Sequence, residues 1–578
     1  MKELTSDIAL GPVLPNIATL LSKNVKRFED HFVYQEKNTE GINKGITWRN
    51  LYDDVEKIAY NLQQKGFKKG DKMVIFSRNC KDMLELELAI MAYGGIAVPI
   101  FAHFKQDTAE LLINHSDATW LTVAGQSQLN NLGSELNQLQ TIFHFDDVMG
   151  HDAYNLEPFS ELLRPTPADA PSCLDEGISP NTICLNMYTS GTMGTPKCVQ
   201  LMQGNILSQQ AAIDSVWDIN ENDRFLAYLP WHHSFGGIFE LFGALYHGAT
   251  YFLESSYGKD PDSIFNNWKE VKPTIFLSVP KVYAALYAKT LASKEAEDIF
   301  FNSGLKFIFT AAAALPEKLS QEFQKRQIPV VEGWGLTETS PCCTLTDPSL
   351  KRVPGVVGKP IPGVSLRIVD EEIQVKGPNV ILAYYKNPEA NAGAFTEDGW
   401  YRTGDVGELT ETGLKLIARK DRIFKLSNGE KVVPTDLERI IELKCHYVQH
   451  VIVTGSGADY PVALIFPNQK MIEKPDYEIS PEEGCFCPRN LNELGKCLRG
   501  CLDDSNKNIK QKFSKIKSAA IINSELNLDD RTLTPSMKVA PKNVLEKYKS
   551  HLLNMYGENV PTEEEVYVVE LDVKNKAK

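Results

Sequence analysis

The sequence lacks both an excess of positive charge and a long uninterrupted hydrophobic run. Its 578 residues include 61 Lys and Arg against 75 Asp and Glu, a net charge of −14, whereas a nucleic-acid-binding domain normally presents a basic face. The most apolar stretch, residues 84–104, is interrupted by Glu85, Glu87 and Pro99. It therefore predicts a buried helix, a turn and a strand rather than a membrane span. We expect no nucleic-acid partner.

The sequence also lacks an apolar N-terminal stretch of the kind that a secretory signal needs. Its 11 cysteines, an odd number scattered over a long chain, suit a reducing cytosol better than a disulfide framework. We therefore expect a cytoplasmic location. Cys485, Cys487, Cys497 and Cys501 could offer four thiolates to a zinc ion, but their spacing differs from that of common zinc sites. Ordinary thiols remain the alternative.

Alternating helical and strand patterns in the first part of the chain predict an α/β fold with parallel sheets. An amphipathic helix opens after Thr47, and apolar strands are expected at residues 73–76 and 96–100 on either side of a helix at 83–92. The same rhythm recurs at residues 275–283 and 307–314.

The composition changes further along the chain. Residues 355–416 are typical of β-structure, and a smaller α+β segment begins after Asp421, with a strand at 451–453 and a helix near 542–552. Because 578 residues are too many for one core, we expect two domains, residues 1–420 and 421–578.

A glycine- and hydroxyl-rich segment at residues 188–197 ends in Lys197. Successive backbone N–H groups in such a loop can converge on phosphate oxygens, and the lysine adds a positive charge. The segment is not the common P-loop, which requires G-x-x-x-x-G-K-[ST]. The segment therefore predicts a phosphate site that differs from the P-loop. The alternative is an ordinary surface turn.

Further blocks follow in order at residues 229–236, 333–338, 401–405, 419–421, 425–430 and 533–538. Together they resemble the adenylate-forming (AMP-binding) superfamily of acyl-CoA synthetases, peptide-synthetase adenylation domains and beetle luciferases. The blocks at 425–430 and 533–538, with residues 273–283, resemble the long-chain fatty acid–CoA ligases most. The resemblance implies a large N-terminal domain of stacked α/β sheets with a β-rich subdomain, and a small α+β C-terminal lid that rotates about Asp421.

The resemblance also implies roles for individual residues. The catalytic set is Lys538, Glu338, Thr189 and His233. Lys538 would bridge the α-phosphate and the acyl carboxylate, Glu338 would bind Mg²⁺, and His233 would lie at the acyl and CoA entrance. The nucleotide would be held by Ser190, Gly191, Thr192, Gly194, Lys197, Trp334, Gly335, Thr337, Asp405, Arg419, Lys425 and Gly429.

Each of these residue types also has an ordinary structural explanation. A Thr-Glu pair is often a helix cap, a Gly-Asp pair is usually a turn, and an isolated lysine is usually solvated. The chain also departs from the family pattern at Ala311-Ala312, where paired glycines are usual, and at Met193 and Cys198 in the phosphate segment. None of these departures removes a charged group that the chemistry needs.

The reaction implied by the resemblance activates a fatty acid with ATP and Mg²⁺ to acyl-AMP and pyrophosphate, and then transfers the acyl group to CoA. Other readings are an adenylate-former with an acyl carrier protein or an amine as acceptor, a non-catalytic acyl-adenylate-binding protein and, more remotely, luciferase-type oxidation. Lysines 507, 510, 512, 515 and 517 could contact anionic lipid or CoA phosphates, or form a solvated helix face. Peripheral membrane contact for substrate delivery is one expectation.

Overall fold

The computed structural model describes most of the chain. The described residues are 3–37, 41, 43–151, 153–189, 196–301, 304–311, 315, 317–350, 352–353, 355–444, 447–469, 488, 490–534, 538–562 and 566–571. They fall into two units. The large unit contains residues up to 189, then 196–403 and 408–416, and the small unit contains 404–407 and the chain from 417 onward. The domain boundary expected after residue 420 stays a prediction.

The strands, numbered in chain order, are as follows. They are β1 (Glu3–Thr5), β2 (Phe32–Lys37), β3 (Asn43–Thr47), β4 (Lys72–Ser77), β5 (Ile96–Phe101), β6 (Trp120–Val123), β7 (Thr141–His144), β8 (Leu156–Pro158), β9 (Ile183–Thr189), β10 (Lys197–Met202), β11 (Arg224–Ala227), β12 (Thr250–Leu253), β13 (Ile275–Ser278), β14 (Phe307–Thr310), β15 (Val330–Gly335), β16 (Cys342–Leu345), β17 (Lys359–Pro360), β18 (Ser365–Val369), β19 (Glu372–Lys376), β20 (Tyr384–Tyr385), β21 (Tyr401–Thr410), β22 (Gly413–Arg419), β23 (Phe424–Lys425), β24 (Lys431–Val432), β25 (Val448–Thr454), β26 (Val462–Pro467), β27 (Ser518–Ile522) and β28 (Val566–Glu570).

The α-helices are Ile17–Phe28, Trp48–Gln64, Lys81–Tyr93, Gln106–Ser116, Gln126–Leu129, Gln203–Asp214, Leu241–His247, Pro261–Val271, Pro280–Ala292, Lys294–Phe301, Glu317–Lys325, Pro388–Ala394, Pro434–Lys444, Leu491–Asn508, Pro541–Lys547 and Lys549–Met555. Short 3₁₀ turns lie at Phe159–Leu163, Thr337–Thr339 and Lys512–Ser514, and Phe235–Glu240 is a π-helical turn. No helix within the described ranges is both long and apolar enough to cross a bilayer.

The large unit is built on two big sheets. One has the order β20-β10-β9-β5-β4-β6-β7-β8 and the other β17-β16-β15-β14-β13-β11-β12-β2-β3. The central pairs β4–β5, β4–β6, β13–β14 and β14–β15 are parallel. Helices link these strands, as parallel pairing requires. The α/β prediction is confirmed.

A third sheet, in the order β1-β18-β19-β21-β22, confirms the β-rich segment expected at residues 355–416. Strands β21 and β22 contain the points at which the chain passes from one unit to the other. The small unit has a four-stranded sheet, β25-β26-β27-β28, in which only the β26–β27 pair is parallel. The α+β character expected after Asp421 is therefore also confirmed.

The hydrophobic pattern of the helix after Thr47 matches its packing. Thr47 caps the helix by accepting a hydrogen bond from the Asn50 backbone N–H at 3.3 Å. The apolar residues at helical spacing are all completely buried: Leu51, Val55, Ala59 and Leu62. The apolar stretch at 84–104 forms the helix, turn and strand that its composition predicts.

The expectation that lysines 507–517 could form one solvated helix face is wrong. The helix Leu491–Asn508 ends before most of them, because Ile509 adopts an extended conformation. Only Lys507 is helical, and Lys510 and Lys512 lie in the exposed connection that follows. Their charges are therefore carried by a loop rather than by a stripe along a helix.

Candidate active site

Thr189 and Lys197 lie opposite each other at the ends of the antiparallel pair β9–β10. The Thr189 hydroxyl is 3.5 Å from the Lys197 carbonyl oxygen, to which it donates. The predicted phosphate residues Ser190, Gly191, Thr192 and Gly194 lie outside the described residues. The two described ends of this segment are thus paired within one sheet, which fixes the position of the Lys197 backbone.

Lys197 and Glu338 are brought together by a tyrosine that lies between them. The Lys197 ammonium sits 5.0 Å from the centre of the Tyr384 ring, a cation–π distance. The Tyr384 hydroxyl donates to Glu338 Oε1 at 2.8 Å and lies 2.8 Å from the hydroxyl of Tyr401. Within the described residues no ion pair joins the lysine to the glutamate. Tyr384 therefore holds opposite charges close without neutralising them.

Thr337 and Glu338 lie in the short 3₁₀ turn that follows β15. This turn contacts Ser234, the residue after His233. The Ser234 and Thr337 hydroxyls are 3.0 Å apart. The backbone N–H of Phe235 donates to Nδ1 of His233 at 3.3 Å, and the His233 carbonyl accepts from Gly237 at 2.8 Å. The structure thus brings the predicted residues His233, Thr337 and Glu338 into one connected region of the large unit.

Trp334 and Gly335 end strand β15 beside β16. Trp334 is buried, with 7% of its surface exposed. A Cβ atom on Gly335 would lie 1.7 Å from the Pro341 carbonyl oxygen, so no larger residue fits there without moving backbone. This close approach explains why a glycine stands between Trp334 and the turn that carries Thr337 and Glu338.

His232 differs from its neighbour His233 in chemistry. Burial, with smaller contributions from the nearby His233 and His103, lowers the pKa of His232 to about 3. The ring packs 5.0 Å from Phe101, and its Nε2 atom has no hydrogen-bond partner among the residues described. His232 is therefore a neutral packing residue, which leaves His233 as the histidine with a candidate functional role.

Asp405 and Arg419, both in the small unit, form an ion pair. Arg419 Nη1 lies 3.1 Å from Asp405 Oδ1, and Arg419 Nε lies 3.6 Å from Asp421 Oδ1. Asp405 is 7% exposed. The arginine thus orients the carboxylate predicted to hold the ribose and also contacts the predicted hinge residue.

Lys538 is linked electrostatically to the same carboxylate. Although much of its side chain is exposed, burial of the ammonium group lowers the pKa of Lys538, and the nearby Asp405 carboxylate raises it in part. A lysine with a lowered pKa near a carboxylate is a common feature of functional sites. The structure thus associates Lys538, Asp405 and Arg419 within one unit.

Lys425 and Gly429 lie at the ends of a tight turn in the small unit. The Lys425 carbonyl accepts from the Gly457 backbone at 2.8 Å, and Gly429 has a positive φ of 84°. Both residues are exposed, and the contacts recorded for them are backbone bonds within the turn and to the neighbouring loop. Their nucleotide-binding role stays a prediction.

The structure also identifies residues that the sequence argument missed. Tyr384 contacts both Lys197 and Glu338, and Tyr401 contacts Tyr384. Asn79 bonds to the backbone of the segment that precedes His233. Tyr401 is the first residue of the block at 401–405, although no role was assigned to it. Tyr384 and Asn79 lie outside every block, and nothing local marks them.

The residues present fit a nucleotide with a hard divalent cation. Magnesium normally takes one or two protein carboxylates together with substrate phosphates and water. Glu338 is a partly buried carboxylate, and the described residues contain no cluster of three or more His, Cys, Asp or Glu side chains. The zinc alternative stays a prediction, because Cys497 and Cys501 lie on one helix and Cys485 and Cys487 lie outside the described residues.

Comparison with known families decides what kind of protein this is. Residues 21–385 match the AMP-binding enzyme family, and residues 421–560 match the AMP-binding enzyme C-terminal domain. The chain belongs to the AMP-binding enzyme family. It is an adenylate-forming ligase of the AMP-forming acid–CoA ligase type, with acyl-CoA synthetases among its relatives.

The relatives of this AMP-binding enzyme include fatty acyl-CoA synthetase A of Dictyostelium discoideum, 26% identical, with 90% of this chain and 86% of the relative covered. Long chain acyl-CoA synthetase 2 of Arabidopsis thaliana is also 26% identical, over 93% of this chain and 91% of the relative. The similarity to long-chain ligases expected from the sequence blocks is therefore confirmed at the level of family.

Solved structures show the same fold. The anthranilate CoA ligase AuaEII, solved with anthranoyl-AMP, is 21% identical and matches with a TM-score of 0.74 over 93% of this chain and 98% of that one. O-succinylbenzoate coenzyme A synthetase from Bacillus subtilis, solved with ATP and magnesium, is 21% identical and matches with a TM-score of 0.70 over 91% and 98%. Adenylate-forming acyl-CoA ligases use ATP, Mg²⁺ and CoA, so the predicted cofactors agree with the family.

Replacing Tyr384 with Phe should reduce pyrophosphate exchange with ATP on the order of tenfold, because a hydrogen bond to a charged carboxylate contributes about 1.5–3 kcal/mol. The ring over Lys197 would remain, so the loss would report on Glu338 and should appear as a raised Mg²⁺ requirement. Tyr385→Phe is the matched control, since the Tyr385 hydroxyl donates to Asp117 instead. Equal behaviour of the two variants would contradict the role of Tyr384.

Replacing Asp405 with Asn should lower the pKa of Lys538 further, because the carboxylate that raises this pKa is removed. More of the amine would then be deprotonated at a given alkaline pH, and Lys538 should react faster with an acylating reagent, as measured by peptide mass spectrometry across a pH series. Asp421→Asn is the control, because it removes the other carboxylate near Arg419. An unchanged profile in Asp405→Asn would refute the coupling.

Proposed function

We propose that this AMP-binding enzyme is a long-chain fatty acid–CoA ligase. It would use ATP and Mg²⁺ to convert a fatty acid to acyl-AMP with release of pyrophosphate, and would then transfer the acyl group to CoA to give acyl-CoA and AMP. The observation that carries the proposal is the arrangement of Lys197, Tyr384 and Glu338, in which one tyrosine contacts both the cation and the carboxylate.

The first reaction has a clear electrostatic requirement. A fatty acid carboxylate is a poor electrophile, and its attack on the α-phosphorus brings two anions together, so catalysis depends on charge neutralisation and positioning. We assign Lys197 and Thr189 to the phosphates, and Lys538 to the α-phosphate and the acyl carboxylate. Glu338 would hold Mg²⁺, which when bound supplies further neutralisation of the phosphate oxygens.

The nucleoside would be recognised by separate residues. Trp334 would stack on the adenine. The next residue, Gly335, has no Cβ atom and so lets the Pro341 backbone lie close beside it. Asp405 would accept hydrogen bonds from the ribose hydroxyls, in an orientation that its ion pair with Arg419 maintains. A carboxylate is well suited to this task because it only accepts hydrogen bonds when ionised, whereas ribose hydroxyls can donate.

The preference for a long acyl chain is supported by apolar groups near His233. Phe235 lies 5.5 Å from Phe309 and 6.2 Å from Phe239, measured between ring centres. Burial of an acyl chain against such a surface contributes about 0.8 kcal/mol for each methylene group. An acyl site bordered by such rings would select by chain length rather than by polar contacts. Among the relatives, the name of long chain acyl-CoA synthetase 2 of Arabidopsis thaliana supports a long acyl chain, and that of fatty acyl-CoA synthetase A of Dictyostelium discoideum supports a fatty acid.

The test is mass spectrometry of the products formed from ATP, Mg²⁺ and a series of fatty acids of increasing length, with and without CoA. Acyl-CoA and AMP that appear only with CoA, with turnover rising towards the longer acids, are the expected result. Acyl-AMP without thioester would favour another acceptor, such as an acyl carrier protein. Complete absence of AMP with every acid would overturn the proposal.

We also propose peripheral contact with an anionic membrane during substrate delivery. The supporting observation is that Lys507, at the end of its helix, and Lys510 and Lys512, in the connection that follows, are all exposed, since lysines near an anionic surface contribute about 1 kcal/mol each. Co-sedimentation with phosphatidylserine vesicles should fall when these three lysines become glutamine. Binding that persists in the triple variant, or that is equal on neutral vesicles, would contradict this contact.

A further inference from the structure

Asn79, which no sequence block contains, directs its whole side chain at the segment that precedes His233. Its amide nitrogen donates to the Leu229 carbonyl oxygen at 2.8 Å, and its amide oxygen accepts from the Trp231 backbone N–H at 2.9 Å. Asn79 is 5% exposed. It lies just after strand β4, about 150 residues earlier in the chain.

Asn79 is itself held in place. The Tyr257 hydroxyl donates to the Asn79 backbone carbonyl at 3.1 Å. An asparagine side chain has few rotatable bonds, and with its backbone bonded in this way its two polar atoms are presented in a fixed orientation. The two bonds to Leu229 and Trp231 therefore define the position of that backbone rather than follow it.

A second group of buried contacts holds the same segment from the other side. The indole N–H of Trp231 donates to the Tyr251 hydroxyl at 2.8 Å, and that hydroxyl donates to Glu240 Oε2 at 3.2 Å. The Leu229 carbonyl and the Trp231 indole are thus both bonded to buried side chains, the first to Asn79 and the second to Tyr251.

Close backbone packing completes the arrangement. A Cβ atom on Gly236 would lie 2.6 Å from the Leu229 carbonyl oxygen, and one on Gly237 would lie 2.1 Å from the Trp231 carbonyl oxygen. The π-helical turn Phe235–Glu240 therefore sits directly against the backbone of residues 229–231. Such π-turns are frequent at functional sites. His233 lies between these two packed segments and has little freedom to shift its backbone.

We propose that Asn79 is a positioning residue for His233, which it controls through the backbone of Leu229 and Trp231. This inference rests on the proposed function in one respect, namely that His233 acts at the entrance for the acyl group and CoA. Misplacement of a group by about 1 Å can reduce a rate by two orders of magnitude. Loss of the Asn79 contacts should therefore affect the thioester-forming step more than adenylation.

The experiment compares the two half-reactions in Asn79→Ala, Asn79→Asp and His233→Ala. Thioester formation from supplied acyl-AMP should fall by roughly tenfold more than ATP–pyrophosphate exchange in Asn79→Ala, since a lost buried hydrogen-bond partner costs about 1–3 kcal/mol and tenfold is 1.4 kcal/mol. Asn79→Asp keeps the shape and the acceptor but replaces the donor to Leu229, so it should show the same split if the alanine variant folds poorly.

Asn16→Ala is the matched control. Asn16 is completely buried in the same unit and makes three side-chain bonds to backbone, to Glu176, Ile178 and Thr19. It caps a helix that carries none of the assigned residues. A purely structural role for Asn79 predicts that both variants lose stability and lose both half-reactions in equal proportion. That outcome would overturn the proposal.

Two further readouts sharpen the test. The double variant Asn79→Ala/His233→Ala should be no slower in thioester formation than His233→Ala alone, because residues acting through one another are not additive. Additive losses would contradict the proposal. Hydrogen exchange of peptides covering residues 228–234 should accelerate in Asn79→Ala but not in Asn16→Ala. Because exchange needs no substrate, it separates failure of this inference from failure of the proposed ligase activity.

Discussion

The separation of Lys197 from Glu338 by the ring and hydroxyl of Tyr384 is the interaction on which the large unit's site depends. A direct ion pair between the lysine and the glutamate would leave each less available to a ligand. With Tyr384 between them, the ammonium rests on the ring face and the carboxylate is bonded at one oxygen. The protein carries a net charge of −14, so local control of charge matters more than the overall field for binding an anionic nucleotide.

Tyr384 can take this position because three parts of the large unit meet there. Strand β10 supplies the lysine, the turn after β15 supplies the carboxylate, and β20, which pairs with β10, supplies the tyrosine. Tyr401 contributes a second hydroxyl. Each element is anchored in a sheet whose strands are buried, so the charged groups are placed by rigid supports. Sites on strands and short turns are held more accurately than sites on long loops.

The segment at residues 229–233 follows the same principle with different means. It has no regular secondary structure of its own, and it is held instead by the bonds of Asn79 to its backbone and by the bond of the Trp231 indole to Tyr251. In the small unit, Arg419 orients Asp405, and Asp405 in turn influences Lys538. In the large unit, the residues assigned to chemistry are oriented by neighbours that have no assigned role, whereas in the small unit the assigned residues orient one another.

The sequence alone determined the family and the α/β class, because glycine, hydroxyl and lysine patterns act locally and apolar periodicity reports which face of an element is buried. Its site residues stay predictions. It also predicted the helix after Thr47 and the strands that flank the helix at 83–92. Tertiary structure alone decided that Tyr384 separates Lys197 from Glu338, that Asn79 holds the backbone before His233, and that His232 is neutral. These depend on contacts between residues 46 to 187 positions apart, and no local pattern encodes which distant side chain fills a given space.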